Sequence, residues 1–575
     1  SYHVINSLLR VIPHGQEVKR VVDDAIDRCG RIVNIRTAIE EARSSAADTE
    51  GDRQQQYIVQ GAQSLRRYFH LLVFQAFLQS MRPDNILAHT FEQFVRRQPV
   101  LETIERELDA PELATITQLR KMDVSDGMAL SDEAEEVVRG RTGSVLSAST
   151  ILKSDFFSGI LKAGLPLRVE GMPNLRGVCP LVAPADGETP ALDLPTAQET
   201  WGCGMPTIEG LRRGLRRMGA SSQDSNRVVW TNLREEPVLY ANGRPHVLRL
   251  ADAPLANVEA TGVTTDVVER IECSLQRDLL EEARQRHGRV LLHDEVQNQD
   301  GNFTIVPVWE TVREGDVLTP REVYERVRNE GFRVDYARVA VTDEQAPVPN
   351  VFSQLEERVQ HAIETHSMTV FNCQMGRGRT TSGMVIAALI VTIDACGREL
   401  LAKKSALHTA SLDAYVGDLR EDELLLQGEY RCILQLVGVL SQGRLAKDLT
   451  DRVIDRMETI QNLRKAISLM KLRADNAELG SSRQRQLVTM FRHYLGRYGY
   501  LIAFAAYLLD RICATDDQLP TSEDTPQIPR LSRSRSRSLT SDGDGVVAVD
   551  LFPSFPAWLR ERREITGILE REDLE

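Results

Sequence analysis

A cysteine precedes an arginine by six positions in Cys373-Gln-Met-Gly-Arg-Gly-Arg379-Thr380. Alone, that spacing is weak evidence in an arginine-rich chain. Its surroundings strengthen it. The apolar run "MTVFN" leads into Cys373 as a strand would, and "TSGMVIAALIVTI" continues beyond Thr380 as a helix. Gly376 and Gly378 let the backbone turn inward and aim its N–H groups at one point. A strand, a glycine-bearing loop and a helix N-terminus together form an anion cradle.

The chemistry that suits this set is phosphoryl transfer. Cys373 would attack phosphorus as a thiolate, which requires a pKa well below the ordinary value of ~8.5. Arg379 would hold two phosphate oxygens in a bidentate fork that lysine cannot reproduce. Arg377 adds a second cation at the rim. The expected phosphate-binding residues are Gln374, Met375, Gly376, Arg377, Gly378, Arg379 and Thr380. The guanidinium and the amides handle the charge, so neither a metal nor another cofactor is expected. An alkoxide leaving group must be protonated. Asp343, in "YARVAVTDEQAP", follows a strand-like run and is the candidate acid. The competing reading makes Asp343 and Glu344 solvated loop charges; the nearby cysteine motif favours the acid.

Elements of two kinds must position these groups. "RVVWTNLR" from Arg227 and "SMTVFN" from Ser367 read as strands. "TIEGLRRGLRRMG" and "TPREVYERVRNEG" read as helices stopping at Gly219 and Gly331. Strands alternating with helices predict an α/β fold with a mainly parallel central sheet flanked by helices. An internal repeat stands beside this core. Tyr2 to Ile39 aligns without a gap onto Tyr430 to Ile467, with identities at Lys19/Lys447, Asp27/Asp455, Asn34/Asn462 and Arg36/Arg464. After a shift of two, "RYFHLLVFQAFL" from Arg67 matches "RYGYLIAFAAYL" from Arg497. Gapless agreement at polar positions is hard to produce by chance. Residues 1–110 are therefore expected to be the helical tail of an upstream phosphatase-like repeat. A connector at 111–164, a phosphatase domain at 165–515, a disordered Ser/Arg-rich linker at 516–550 and a short helix within 551–575 complete the expected organisation. The absence of an initial methionine fits a piece of a longer protein.

Composition limits the partners. The formal charge of −13 argues against a general nucleic-acid binder. Eight cysteines without regular spacing make no disulfide framework or zinc set, which suggests a reduced, cytosolic protein. Cys29, Cys432 and Cys513 are expected in helix cores, and His246 and His293 in structural or surface roles. The apolar run from Met384 to Ile393 is too short to span a bilayer, which takes roughly 20 residues. No transmembrane segment or signal peptide is expected.

With these motifs in view, the chain resembles the paladin family, tandem relatives of the protein-tyrosine-phosphatase-like inositol polyphosphate phosphatases (phytases). The resemblance rests on "GMPT" at 204–207, "VVWTNLREEPVLYANGRPHVLR" at 228–249, "NVEATGVT" at 257–264, "LLHDE" at 291–295, "YARVAVTDEQAP" and "NCQMGRGRT". It implies a cysteine-phosphatase fold with a small extra β-rich subdomain. It also implies a preference for inositol phosphates or phosphoinositides. Carried over by position, Cys373 matches the nucleophile, Arg379 the phosphate-binding arginine, Asp343 the acid, and Gln374 to Gly378 the cradle. Arg234 falls in a shared motif without an assigned role. One departure stands out: Asn372 occupies the place where active members of the superfamily usually carry histidine.

Two function classes follow. One is a cysteine phosphatase acting on inositol polyphosphates or phosphoinositides, with protein phosphotyrosine as a variant substrate. The other is a weak or inactive pseudophosphatase that binds phosphorylated ligands as a scaffold. The partners expected are a phosphorylated small molecule or phosphoinositide, with peripheral membrane contact and signalling proteins open.

Overall fold

The computed structural model describes residues 2–30, 34–47, 49, 51–81, 90–109, 111, 115–116, 125–128, 131–155, 165, 167–180, 199–257, 262–297, 303–407, 425–516 and 552–571. The 516–550 linker expected from composition therefore lies, but for its first residue, outside the described residues. The chain divides into two compact units. One comprises residues 1–160, 236–259 and 266–323; the other comprises 161–235, 260–265 and 324–575. The span 165–515, read from sequence as one domain, contributes to both.

The first unit opens with four helices: α1 (His3–Val11), α2 (Gly15–Cys29), α3 (Ile35–Ala47) and α4 (Asp52–Ser80). A seven-stranded sheet follows. Its strands are β1 (Ser125–Met128), β2 (Thr150–Ser154), β6 (Val238–Ala241), β7 (Arg244–Leu250), β8 (Arg289–Gln297), β9 (Phe303–Thr311) and β10 (Val317–Leu318). They run in the order β1-β9-β8-β2-β7-β6-β10, antiparallel throughout except between β2 and β8. The β-rich part is thus larger than the small subdomain expected.

The second unit holds the central sheet: β3 (Arg176–Val178), β4 (Thr200–Cys203), β5 (Val228–Asn232), β11 (Val334–Arg338) and β12 (Met368–Asn372). The order is β11-β5-β12-β4-β3, with the first four parallel and β3 an antiparallel edge. Every residue of β5 and β12 is buried, which is why both read as near-continuous apolar runs. Helices Pro349–Glu364 and Gly378–Leu407 pack against these strands. The α/β class and its mainly parallel sheet are as the sequence predicted. Gly219 and Gly331 end their helices at φ 66° and 100°, where glycine is favoured.

The repeat survives in three dimensions. Helices Arg431–Val439, Gly443–Arg456, Leu463–Asp475 and Ser482–Asp516 follow the order of α1–α4. The shared polar residues build the same network twice. Asn34 donates to Asp27 at 3.0 Å, and Asn462 to Asp455 at 2.9 Å. Lys19 and Lys447 pair with Asp23 and Asp451, while the hydroxyls of Tyr68 and Tyr498 donate to the same two carboxylates. The apolar faces differ in what covers them. Leu71, Phe74 and Leu78 on α4 are 39%, 44% and 43% exposed, whereas their counterparts Leu501, Phe504 and Leu508 are buried. Phe504 meets Phe352 and Phe555 with ring centroids 5.1 and 5.2 Å apart.

Residues 552–571 hold two short helices, Phe555–Arg560 and Arg563–Leu569, where one was expected. Phe555 and Trp558 lie in the core that includes the Gly378–Leu407 helix. Of the three helix cysteines, Cys432 is buried and Cys513 half-buried, but Cys29 is exposed. It is the last residue of α2, where the helix runs out and the apolar face with it. His246 and His293 are buried in the first unit's sheet. Among the described residues, no helix is long and apolar enough to cross a membrane.

Tyr498→Phe removes a donor to a largely buried carboxylate and should cost about 1–3 kcal/mol in urea unfolding, with Tyr68→Phe costing a similar amount. Unchanged midpoints in both variants would mean the repeated network is ornamental.

Candidate active site

Strand β12 ends at Asn372 between β5 and β4, so Cys373 emerges at the carboxyl end of the central sheet's middle strand. Ligands of open α/β sheets bind at that end. The loop from 373 runs directly into the 378–407 helix.

What shapes the loop is a set of donors behind it. The carbonyl of Gln374 accepts from the Met205 N–H at 2.9 Å. That of Met375 accepts from Asn174 Nδ2 at 2.8 Å, and that of Gly376 from Arg176 Nη1 at 2.8 Å. In a trans peptide the C=O and the following N–H point opposite ways. Three successive carbonyls held from outside therefore turn the N–H groups of Met375, Gly376 and Arg377 toward the concave side. That is an anion nest, with a helix N-terminus beside it.

Close approach makes two glycines necessary. Gly376 has φ 72°, and a Cβ there would sit 2.4 Å from the carbonyl carbon of Cys203 and the nitrogen of Gly204. A Cβ on Gly204 would lie 2.8 Å from the Gln374 oxygen. The loop rests directly on the end of β4.

Arg176 is buried under this loop. Besides Gly376, its guanidinium donates to the Asn174 carbonyl at 3.1 Å and to Thr381 Oγ1 at 3.0 Å. Burial pushes its pKa down to about 10, while the sulfurs of Cys373 and then Cys203 pull it back up. Cys203 is buried, and burial raises its thiol pKa, with Arg176 opposing. Cys373 itself is 4% exposed.

Arg379 and Asp343 meet. Arg379 Nε lies 3.2 Å from Asp343 Oδ1, and Nη2 donates to Oδ2 at 3.3 Å. The carboxylate occupies the two-pronged position that two phosphate oxygens would take. The loop carrying Asp343 is held at both ends. Its Asp343 N–H donates to Glu235 Oε1 at 2.9 Å, and its Gln345 carbonyl accepts from Arg497 Nε and Nη2 at 3.2 and 2.9 Å. Between them Glu344 sits at φ 58°, and its carboxyl pKa is raised, first by burial and next by Asp343. Arg497 is buried, with its guanidinium 5.2 Å from the Tyr494 ring centroid. Its Nη1 and Gln461 Oε1 each lie 3.7 Å from where a Cβ on Gly378 would be. The second helical repeat thus reaches the start of the loop helix.

Asn372 is buried and engaged. Its Oδ1 accepts from Trp230 Nε1 at 2.8 Å, and its Nδ2 donates to Asn232 Oδ1 at 3.3 Å. Toward the loop backbone it makes a 3.5 Å approach to the Cys373 carbonyl. Thr380 donates its hydroxyl to the Cys203 carbonyl at 3.3 Å. Gln374, Met375, Arg377 and Gly378 are half-buried along the loop.

The predicted residues are therefore brought together, with Asp343 against Arg379. Sequence reasoning missed Asn174, Arg176, Cys203, Glu235 and Arg497. "GMPT" marked the backbone at Met205, and the repeat marked Arg497 only as a helix position.

Comparison with known proteins places the chain beside a family and several relatives. Residues 231–391 match the family model for PTP-like phytases, described by inositol hexakisphosphate. That span contains Asp343, Cys373 and Arg379. Paladin from Gallus gallus is 24% identical over 528 residues, covering 88% of this chain and 52% of the relative. The similarity to paladin runs through most of this chain. Paladin from Danio rerio is 26% identical over 530 residues, with the same coverage of both chains. The chain spans about half the length of the paladins it matches. A solved PTP-like myo-inositol phosphatase from Mitsuokella multacida, in complex with myo-inositol-(1,3,4,5)-tetrakisphosphate, aligns at TM-score 0.34 and 12% identity. The alignment covers 85% of this chain and 63% of that one.

Gly376→Ala combines an unfavourable φ with a 2.4 Å clash and should abolish tungstate binding in calorimetry while leaving the helical bundles folded. Undiminished binding would show that the loop does not need its contact with β4.

Proposed function

We propose that this chain is a cysteine-dependent phosphatase acting on inositol polyphosphates or phosphoinositides through a phosphocysteine intermediate. The observation that carries the reading is Cys373 at the foot of three inward N–H groups, with Arg379 and Asp343 paired beside it. A phosphate group takes the Arg379 fork and displaces the Asp343 carboxylate. The Cys373 thiolate attacks phosphorus, an S–P bond forms, and the P–O bond to the inositol breaks. Protonated Asp343 gives its proton to the departing oxygen. Water then attacks the phosphocysteine, Asp343 takes up a proton, and thiolate and phosphate are released. Arg377 and Arg497 supply further positive charge around the cradle, which suits a polyanionic ring better than a lone phosphotyrosine. The match to the phytase model across 231–391 supports the same substrate class. Cytosolic placement and contact with membranes through phosphoinositide head groups belong to this proposal.

A phosphate-binding scaffold with weak or no turnover is the second reading. Asn372, already bound to Trp230, favours it, because an amide carries no charge with which to hold a thiolate.

Phosphate release from a panel of inositol polyphosphates, phosphoinositide vesicles and phosphotyrosine peptides tests both. Cys373→Ser should abolish release. Asp343→Asn should lower kcat by about 10²–10⁴. It should also lower KM, because the neutral amide no longer competes for Arg379. A panel without any release, together with binding lost in Arg379→Ala, would replace the enzyme with the scaffold.

A further inference from the structure

The buried guanidinium of Arg176 has no part in the steps above, yet it bonds both to the loop and to the helix that follows it. It donates to the Gly376 carbonyl at 2.8 Å and to Thr381 Oγ1 at 3.0 Å, at the start of the loop helix. Thr381 in turn donates its backbone N–H to the Arg377 carbonyl at 2.8 Å. Arg176 thus ties the middle of the loop to its exit. Its third bond, to the Asn174 carbonyl, fixes the backbone that presents Asn174 to Met375. The residue is 5% exposed, and a Cβ on Gly202 would lie 3.2 Å from its Cζ. The pocket is built for it.

Burying a lone guanidinium without a carboxylate is costly, and no carboxylate is among the partners just described. The two ionisable groups whose fields reach it favourably are the sulfurs of Cys373 and Cys203. Neutral acceptors hold its N–H groups, so its net charge is left to act on whatever anion the loop encloses. That arrangement differs from Arg379, whose charge is met by Asp343.

We propose that Arg176 is a positioning residue that keeps Cys373 ionised: it clamps the Gly376 carbonyl outward and places an uncompensated positive charge behind the thiolate. It does the work that histidine before the cysteine usually does, at a position where this chain has Asn372. The proposal rests on reading Cys373 as the nucleophile. It does not require that turnover be fast.

The test is the pH dependence of Cys373 alkylation by iodoacetamide, followed by peptide mass spectrometry on the full chain. Wild type should alkylate with a midpoint well below the ordinary thiol value of ~8.5. Arg176→Met should raise the midpoint by about 1–2 pH units. Arg176→Lys keeps the charge but loses the fork, so its midpoint should stay near wild type while tungstate binds at least tenfold more weakly. A wild-type midpoint near the ordinary value, or an unchanged one in folded Arg176→Met, overturns the proposal. Should Arg176→Met fail to fold, Arg176→Lys decides: a low midpoint with weakened tungstate binding supports it, and unchanged binding overturns it. A low midpoint that rises in Arg176→Met, without phosphate release from any substrate, would retain Arg176 and discard the phosphatase.

Discussion

Three backbone carbonyls facing away from Cys373 are the constraint on which the site depends. Gln374, Met375 and Gly376 each give their oxygen to a donor outside the loop, and the geometry of the trans peptide does the rest. Left to itself, a loop of this composition would satisfy those carbonyls with water in many conformations. Held by Met205, Asn174 and Arg176, it has one. The glycines at 204 and 376 follow from the same constraint, because donors and loop must approach within van der Waals contact.

The Arg379–Asp343 pair adds a second layer. A carboxylate in the arginine fork takes the place that two phosphate oxygens would take, so a phosphate entering the fork must displace it. Glu235 and Arg497 hold the loop that carries this carboxylate, and Arg497 comes from the helical repeat rather than the sheet. The repeat is therefore part of the site's architecture in the second unit. In the first, the matching arginine, Arg67, is exposed.

Local features were legible in the sequence, and long-range ones were not. The β12 strand, the glycine loop and the helix after it are contiguous, and each has its own chemical signature. The helix stops at Gly219 and Gly331 were legible because a positive φ there favours glycine. The polar identities of the repeat marked it as genuine, and they are local: Asp27 lies near the end of α2 and Asn34 just before α3. Asn174 and Arg176 lie about 200 residues from the carbonyls they hold, and no pattern in "MPNLR" points to a distant loop. Equivalent leucines and phenylalanines on α4 and the 482–516 helix read identically, yet only one set is covered. Periodicity marks an apolar face and leaves open what packs on it. Cys29 failed for a related reason, since a periodic pattern does not say where its helix ends.

The measurement that bears most directly on the central claim is acid quenching of the full chain during reaction with inositol hexakisphosphate, followed by mass spectrometry of the Cys373 peptide. The account predicts a phosphate adduct on Cys373 that accumulates in Asp343→Asn, where the water attack lacks its base. Phosphate release that proceeds without an adduct, and at the wild-type rate in Cys373→Ser, would contradict it.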